Sequence, residues 1–294
     1  MSRAPRWAVE GRDWPNRAHS RFVDTGRIRW HVQTMGEGPV LLLVHGTGAA
    51  THSWRDLTPL LAQHFTVVAP DLPGHGFTQG RPAGGLAMPA MARAMADLLD
   101  KLAVSPNVIV GHSAGAAIGI RMAIDGLAAP DAIVGLDAAL LPFPGLAARL
   151  FPAMARMLFV NPLAPHLFAR LARTPGETGR FLLRSTGSRI DAAGIDLYTR
   201  LFATPAHIGG AIAMMADWDL ATLQRDLSWL ATPLLLLHGD NDAAIPIASA
   251  RRASGLVADG RLIALPGLGH MAHEERPQAV ARHIVDFTRT EDPT

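Results

Sequence analysis

The strongest constraint on this chain is the recurrence of short, uninterrupted apolar runs separated by helical spacing. Pro39–Val44 reads PVLLLV and Phe65–Ala69 reads FTVVA; Asn107–Val110, Ala132–Leu136, Pro233–Leu237 and Arg261–Leu265 follow. A strand with one wet face alternates apolar and polar residues, whereas a run without alternation is covered on both faces. Amphipathic helices fill the intervals. Met88, Met91, Met95, Leu98 and Leu102 recur at three- and four-residue steps, with Arg93, Asp97, Asp100 and Lys101 on the other side. That methionine stripe reads as core packing rather than a cofactor box. A last helix begins near Pro277 and presents Val280, Ile284 and Phe287. Strand–helix alternation predicts an α/β fold with a mostly parallel, doubly wound sheet. Arg27–Val32 adds an antiparallel strand at its front edge.

Residues 141–215 interrupt this rhythm. They show helical apolar spacing, no convincing strand, and a high density of phenylalanine and methionine, including Phe143, Phe151, Met154, Phe168 and Phe181. The expected organisation is an N-terminal arm (1–26), a core built from 27–140 and 216–294, and an inserted helical cap (141–215). The cap holds eight arginines against three acids, in a chain whose formal net charge is only +2. Its positive charge is therefore local.

Composition excludes several classes. There is no cysteine, so disulfides, thiolate metal sites and cysteine nucleophiles are ruled out. The opening MSRAPRWAVEGRDWPNR is polar and arginine-rich, without the apolar stretch of a secretory leader. The apolar runs are too short to span a bilayer. A cytoplasmic protein without a transmembrane segment is expected, with peripheral membrane contact left open. The basic residues are arginines apart from Lys101, and they form no block interleaved with aromatics, so nucleic acid is not an expected partner.

The chemistry concentrates in three segments. Gly111-His112-Ser113-Ala114-Gly115 fits G-x-S-x-G. Such a pentapeptide arises by chance, but here a strand precedes it and the apolar helix Ala116–Ile124 follows. That strand-turn-helix context is what exposes a serine hydroxyl on a sharp turn, with glycines letting neighbouring backbone approach. A serine needs a base. His270, in Gly267-Leu268-Gly269-His270-Met271, lies on the loop after the Arg261–Leu265 run. The acid belongs on the loop after Pro233–Leu237, where Asp240 and Asp242 compete. Asp242, with Gly239 three residues before and Pro246 four after, is the favoured acid, and Asp240 is assigned a turn role. Backbone N–H groups of Ala114 and of Thr47, in the turn His45-Gly46-Thr47-Gly48, are the candidate oxyanion donors. His45, His112, Phe143 and Met154 are candidate substrate contacts. Bracing is the competing role for His45 and for His75. No histidine–carboxylate grouping has zinc spacing, so neither a metal nor an organic cofactor is expected.

HGTG, PDLPGHGFT, GHSAG, LLLLHGDNDAAIP and GLGHM resemble the α/β-hydrolase superfamily over residues 27–290. The resemblance implies the α/β-hydrolase fold and the triad Ser113, Asp242 and His270. Epoxide hydrolase and dehalogenase chemistry, which use aspartate where Ser113 stands, are disfavoured. RDWPNRAHSRFV (12–23), the segment 27–57 and PDLPGHGFT further resemble the magnesium-chelatase accessory family of bacteriochlorophyll biosynthesis. That likeness implies a tetrapyrrole setting and magnesium chelatase as a partner. The expected function is a serine hydrolase cleaving a carboxylic ester of a bulky apolar molecule, with a tetrapyrrole as the implied candidate. Two rivals stand beside it: a non-catalytic porphyrin carrier serving the chelatase, and a triad enzyme cleaving a different bond. Cap arginines suit tetrapyrrole carboxylates, although solvated arginines over a packed cap are the plainer reading.

Overall fold

In the computed structural model, which describes residues 4–142, 157 and 161–290, the continuous apolar runs form the centre of one sheet. Its strands are β1 (Ser20–Asp24), β2 (Ile28–Met35), β3 (Val40–Val44), β4 (Thr66–Pro70), β5 (Gln79–Gly80), β6 (Val108–His112), β7 (Ala132–Leu136), β8 (Leu234–Gly239) and β9 (Gly260–Leu265). The order is β1-β2-β4-β3-β6-β7-β8-β9, with β5 on β2. From β4 to β9 all pairings are parallel; β2 is antiparallel to both β1 and β4.

The helices are α1 (Leu57–Leu61), α2 (Met88–Leu102), α3 (Ala114–Ile124), α4 (Ala164–Ala172), α5 (Glu177–Thr186), α6 (Ala192–Phe202), α7 (Pro205–Ala216), α8 (Leu220–Asp226), α9 (Ile247–Ser254), α10 (Ala272–Glu275) and α11 (Pro277–Thr290). Successive residues of each central strand serve opposite layers. Leu42, Val44, Ile109, Ile133 and Leu236 pack against Met91, Met95 and Leu98 of α2 and Ile118 and Met122 of α3. Leu41, Leu43, Val110, Val134 and Leu237 pack against Leu57 and Leu61 of α1 and Val280, Ile284 and Phe287 of α11. Each such side chain contributes about 1.5–3 kcal/mol by leaving water.

Two expectations change in detail. β6 and β8 run on through Gly111-His112 and His238-Gly239, because ladder pairing needs only backbone: His112 stands opposite Leu136, and Gly239 opposite Leu265. The N-terminal arm (1–26) contributes a strand to the sheet. Ser20–Asp24 pairs along its whole length with β2, and the buried Trp14 donates its indole N–H to Thr51 Oγ1 at 2.9 Å. Its half-buried pattern gives neither a clean alternation nor an apolar run, so periodicity alone does not reveal it.

Residues 161–215 are helical between β7 and β8, with no strand among the described residues. They are pinned to the core rather than laid over it. Gly210 of α7 sits on Gly74, where a Cβ would come within 1.9 Å of the Gly74 carbonyl. His207, one turn earlier, accepts the Gly76 N–H on Nδ1 at 3.0 Å and donates from Nε2 to the Gly48 carbonyl at 2.9 Å. Its ring stands beside His75, which in turn stands beside His45. Beneath them Asp71 accepts from His31 Nδ1 and from the N–H groups of Thr51 and Phe77, at 2.7–2.8 Å. Burial opposes its charge, yet His31 and these donors hold its carboxyl far below the usual range.

Burial also pushes the pKa of His45, His52, His75, His112, His207 and His273 down, to about 4 for His207 and about 3 for His273. These rings are neutral in the folded chain, while in the unfolded chain they take up protons as pH falls below about 6.5. The unfolded state then binds more protons, so stability falls with falling pH from about 6.5 towards 4, by up to about 1.4 kcal/mol per pH unit for each ring. Urea unfolding at about pH 7.5, 6 and 5 should show a midpoint that drops steeply. A midpoint constant over that range would mean that the rings titrate without opposition from the fold.

Candidate active site

Ser113 ends β6 and begins α3 with φ 51° and ψ −117°, a left-handed conformation costing about 1–3 kcal/mol in a residue with a side chain. Three backbone bonds hold it: Ser113 N–H to Leu136 O at 2.9 Å, and the N–H groups of Ala116 and Ala139 to Ser113 O at 3.2 and 3.1 Å. The flanking glycines are sterically required. A Cβ on Gly111 would lie 2.4 Å from Ala116, and one on Gly115 would lie 2.0 Å from the Val44 carbonyl. Gly46 faces the serine itself, since a Cβ there would lie 3.1 Å from Ser113 Cβ. The His45–Gly48 turn and the serine turn therefore touch.

Asp242 and His270 meet on the loops after β8 and β9. His270 Nδ1 donates to Asp242 Oδ2 at 2.8 Å, and Asp242 Oδ1 accepts the N–H groups of Ala244 and Ile245 at 2.7 and 2.8 Å. Asp240 is exposed and instead accepts the Gly267 N–H, the turn role that the sequence suggests. Ser113 and His270 line one cavity of about 430 Å³, together with Thr47 and Ala114. The other walls are mostly apolar, from Leu141, Met215, Trp218, Leu220, Ile245 and Pro246. A larger open cleft of about 620 Å³, lined by Arg55, Asp56, Arg189 and Asp191, contains none of these groups.

The remaining candidates are placed differently. His45 does not line the cavity. It is fully buried, accepts the Leu72 N–H on Nε2 at 2.9 Å and donates from Nδ1 to the Gly46 carbonyl at 2.8 Å. His112 is buried behind the serine and donates from Nε2 to the His270 carbonyl at 2.8 Å. Both are backbone braces, and both correct the expectation of substrate contact. Phe143 and Met154 lie outside the described residues. The cap arginines seen do not line the cavity either. Arg200 pairs with Asp13 and Asp196, Arg180 with Glu177, and Arg173 donates to the Ala203 carbonyl at 2.9 Å.

Several positioning residues escape sequence reasoning. The Thr186 carbonyl accepts the N–H of both His270 at 2.8 Å and Ala243 at 3.3 Å, so one oxygen ties the histidine loop to the loop carrying Asp242. Ser188 Oγ accepts the Met271 N–H at 2.8 Å. Thr-Gly-Ser after α5 reads in sequence as an ordinary helix stop. His207 holds the Gly48 carbonyl as His45 holds that of Gly46, and its only signal is a lone polar residue in the apolar run PAHIGGAIAMMA. Asp137, at the end of β7 with φ 47°, accepts the Gly239 N–H at 2.8 Å. Burial above all pushes its pKa well above the carboxylate range, and the neighbouring Asp242 adds to this. Asp137, His238 and Asp242 bring ligand-type atoms within 4.8 Å of one another. Asp242 is already committed to His270 and two N–H groups, however, and His238 Nε2 donates to the Ile245 carbonyl at 2.9 Å.

Residues 41–283 match the alpha/beta hydrolase family. The magnesium-chelatase 30 kDa subunit of Rhodobacter capsulatus is 38% identical over 94% of this chain and 96% of its own length. The 2-hydroxy-6-oxo-2,4-heptadienoate hydrolase of Pseudomonas putida is 27% identical over 92% of this chain and 97% of its own. In fold, the crystal structure of a putative lipase from Acinetobacter baumannii superposes with a TM-score of 0.80 at 20% identity, covering 99% of this chain and 98% of that one. The chain belongs to the alpha/beta hydrolase family and, within it, resembles the magnesium-chelatase 30 kDa subunit.

Proposed function

We propose that the protein is a serine hydrolase that cleaves a carboxylic ester of a bulky apolar substrate. The observation that carries this reading is the 2.8 Å bond from His270 Nδ1 to Asp242, with His270 and Ser113 on the wall of one largely apolar cavity. With Nδ1–H given to Asp242, Nε2 of His270 is the basic nitrogen. It takes the Ser113 hydroxyl proton as Oγ attacks the ester carbonyl, and Asp242 stabilises the imidazolium that forms. The backbone N–H groups of Thr47 and Ala114 receive the oxyanion, the latter at the N-terminus of α3, where the helix dipole favours negative charge. The imidazolium returns its proton to the departing alcohol, and water then repeats the sequence to free the acid and Ser113.

A cavity of about 430 Å³ with apolar walls fits the size class of small organic ligands. The likeness to the magnesium-chelatase 30 kDa subunit favours a tetrapyrrole ester as substrate, a cytoplasmic setting and contact with a chelatase. The same likeness favours a second reading, a porphyrin-binding accessory that delivers its ligand without turnover. The two differ in what Ser113 does. A carrier binds porphyrin equally well as Ser113→Ala and gains nothing from a reactive serine.

Fluorophosphonate treatment followed by peptide mass spectrometry should place the adduct on Ser113, and porphyrin esters should be hydrolysed by the wild type and not by Ser113→Ala. Unlabelled Ser113 in folded protein that still binds porphyrin would select the carrier. Asp242→Asn should lower ester turnover by about 10⁴-fold, the loss seen when a triad carboxylate becomes an amide. Asp240→Asn should change turnover little, since the amide oxygen of asparagine still accepts the exposed turn bond from the Gly267 N–H. A greater loss in Asp240→Asn than in Asp242→Asn, with both folded, would reverse their roles.

A further inference from the structure

Most helices on this molecule turn their large apolar residues inward; α4 does the reverse. Its buried residues are Ala164, Ala169 and Ala172, and it packs against α7. Leu163, Leu167 and Leu171, four residues apart and so on one stripe, are 72%, 59% and 50% exposed. Phe168 beside them is exposed, as are Phe181 and Leu183 of the neighbouring α5. Apolar side chains scattered singly over a surface need no explanation, but a stripe repeated along one helix and continued on the next does.

The charges on and beside the same two helices are mostly positive. Arg170, Arg173, Arg180 and Arg184 are all exposed, and the only acid of α4 and α5 is Glu177, which pairs with Arg180. Arg170 and Arg184 form no ion pair among the described residues. Arg170 lies three residues after Leu167, so on the helix surface it is a neighbour of the leucine stripe. Arginine binds phosphate through a planar fork, and its aliphatic stem tolerates an apolar neighbourhood.

We propose that the outer face of α4 and α5 docks on the surface of an anionic phospholipid bilayer. A surface with leucines and phenylalanines set beside exposed arginines, of which Arg170 and Arg184 form no ion pair among the described residues, asks two things of its occupant: an apolar layer that accepts the side chains, and anionic groups at the level of the guanidiniums. An anionic leaflet supplies both, acyl chains beneath and phosphates at the headgroup plane. No helix among the described residues is long and apolar enough to cross a membrane, so the contact is peripheral. None of the residues on this face lines the cavity holding Ser113.

The test is co-sedimentation of the full chain with vesicles of phosphatidylcholine alone and of phosphatidylcholine with an equal part of phosphatidylglycerol. The wild type should sediment with the anionic vesicles, weakly with the neutral ones, and less as salt is raised. Arg170→Gln with Arg184→Gln should weaken the partition about twenty-fivefold, at about fivefold per arginine. Leu167→Glu with Leu171→Glu should abolish it at every salt concentration. Both pairs are on the surface, and circular dichroism and thermal melting should match the wild type. Wild-type protein that stays in solution with anionic vesicles overturns the proposal, as does undiminished partition in the leucine variant. So does a wild type of larger hydrodynamic size that Leu167→Glu/Leu171→Glu converts to a smaller one, because the stripe is then a contact between copies of this chain.

Discussion

The meeting of α3 with β3 at Gly115 is the constraint from which the rest of the site follows. With no side chain at 115, the helix lies directly on the Val44 and His45 carbonyls, close enough that even a methyl group has no room. That contact brings the first turn of α3 against the end of β3. It puts Ser113 and the Gly46 turn in touch and leaves Ser113 the strained backbone that points it out of the sheet. Strain of this kind persists only when surrounding structure over-determines it. Here the ladder on both sides of β6 and the carbonyl of Leu136 do so.

Around that contact, histidines act as fixed-tautomer connectors. His45 and His207 each accept one backbone N–H and donate to one backbone carbonyl, and in this way the two glycines flanking Thr47 are both anchored. Such a ring can do both only when neutral, and burial keeps it so. Electrostatics, hydrogen bonding and the shape of the Thr47 turn are therefore one property. The buried Asp71 extends it, joining β2 to Thr51, three residues past the turn, and to the Pro73–Phe77 loop.

Much of this was legible in the sequence. Continuous apolar runs located the central strands because a doubly covered strand has no polar face to conceal it. The spacing around Gly239 and Pro246 favoured Asp242 over Asp240, and in the fold it is Asp242 that bonds His270, while Asp240 takes the Gly267 N–H. What stayed hidden has a physical reason in each case. Ser20–Asp24 is half-buried along an edge and carries no period. His45 and His112 looked like pocket residues because adjacency in sequence to a reactive group does not say which way a ring turns; both turn to backbone. Thr186 acts through its carbonyl, and every residue type has one.

That last feature changes what the inserted helices are to the molecule. Since a main-chain oxygen holds His270 and Ala243 together, no side chain records the job, and the trace left in the letters is Gly187, whose positive φ and closeness to Asn241 admit little else. The outer faces of α4 and α5 can change composition while the geometry at positions 186–188 is kept, whereas in α7 His207 and Gly210 are tied to the core. Transplanting these helices between relatives by matching letters would risk losing an oxygen atom that has to stand at a fixed point in space.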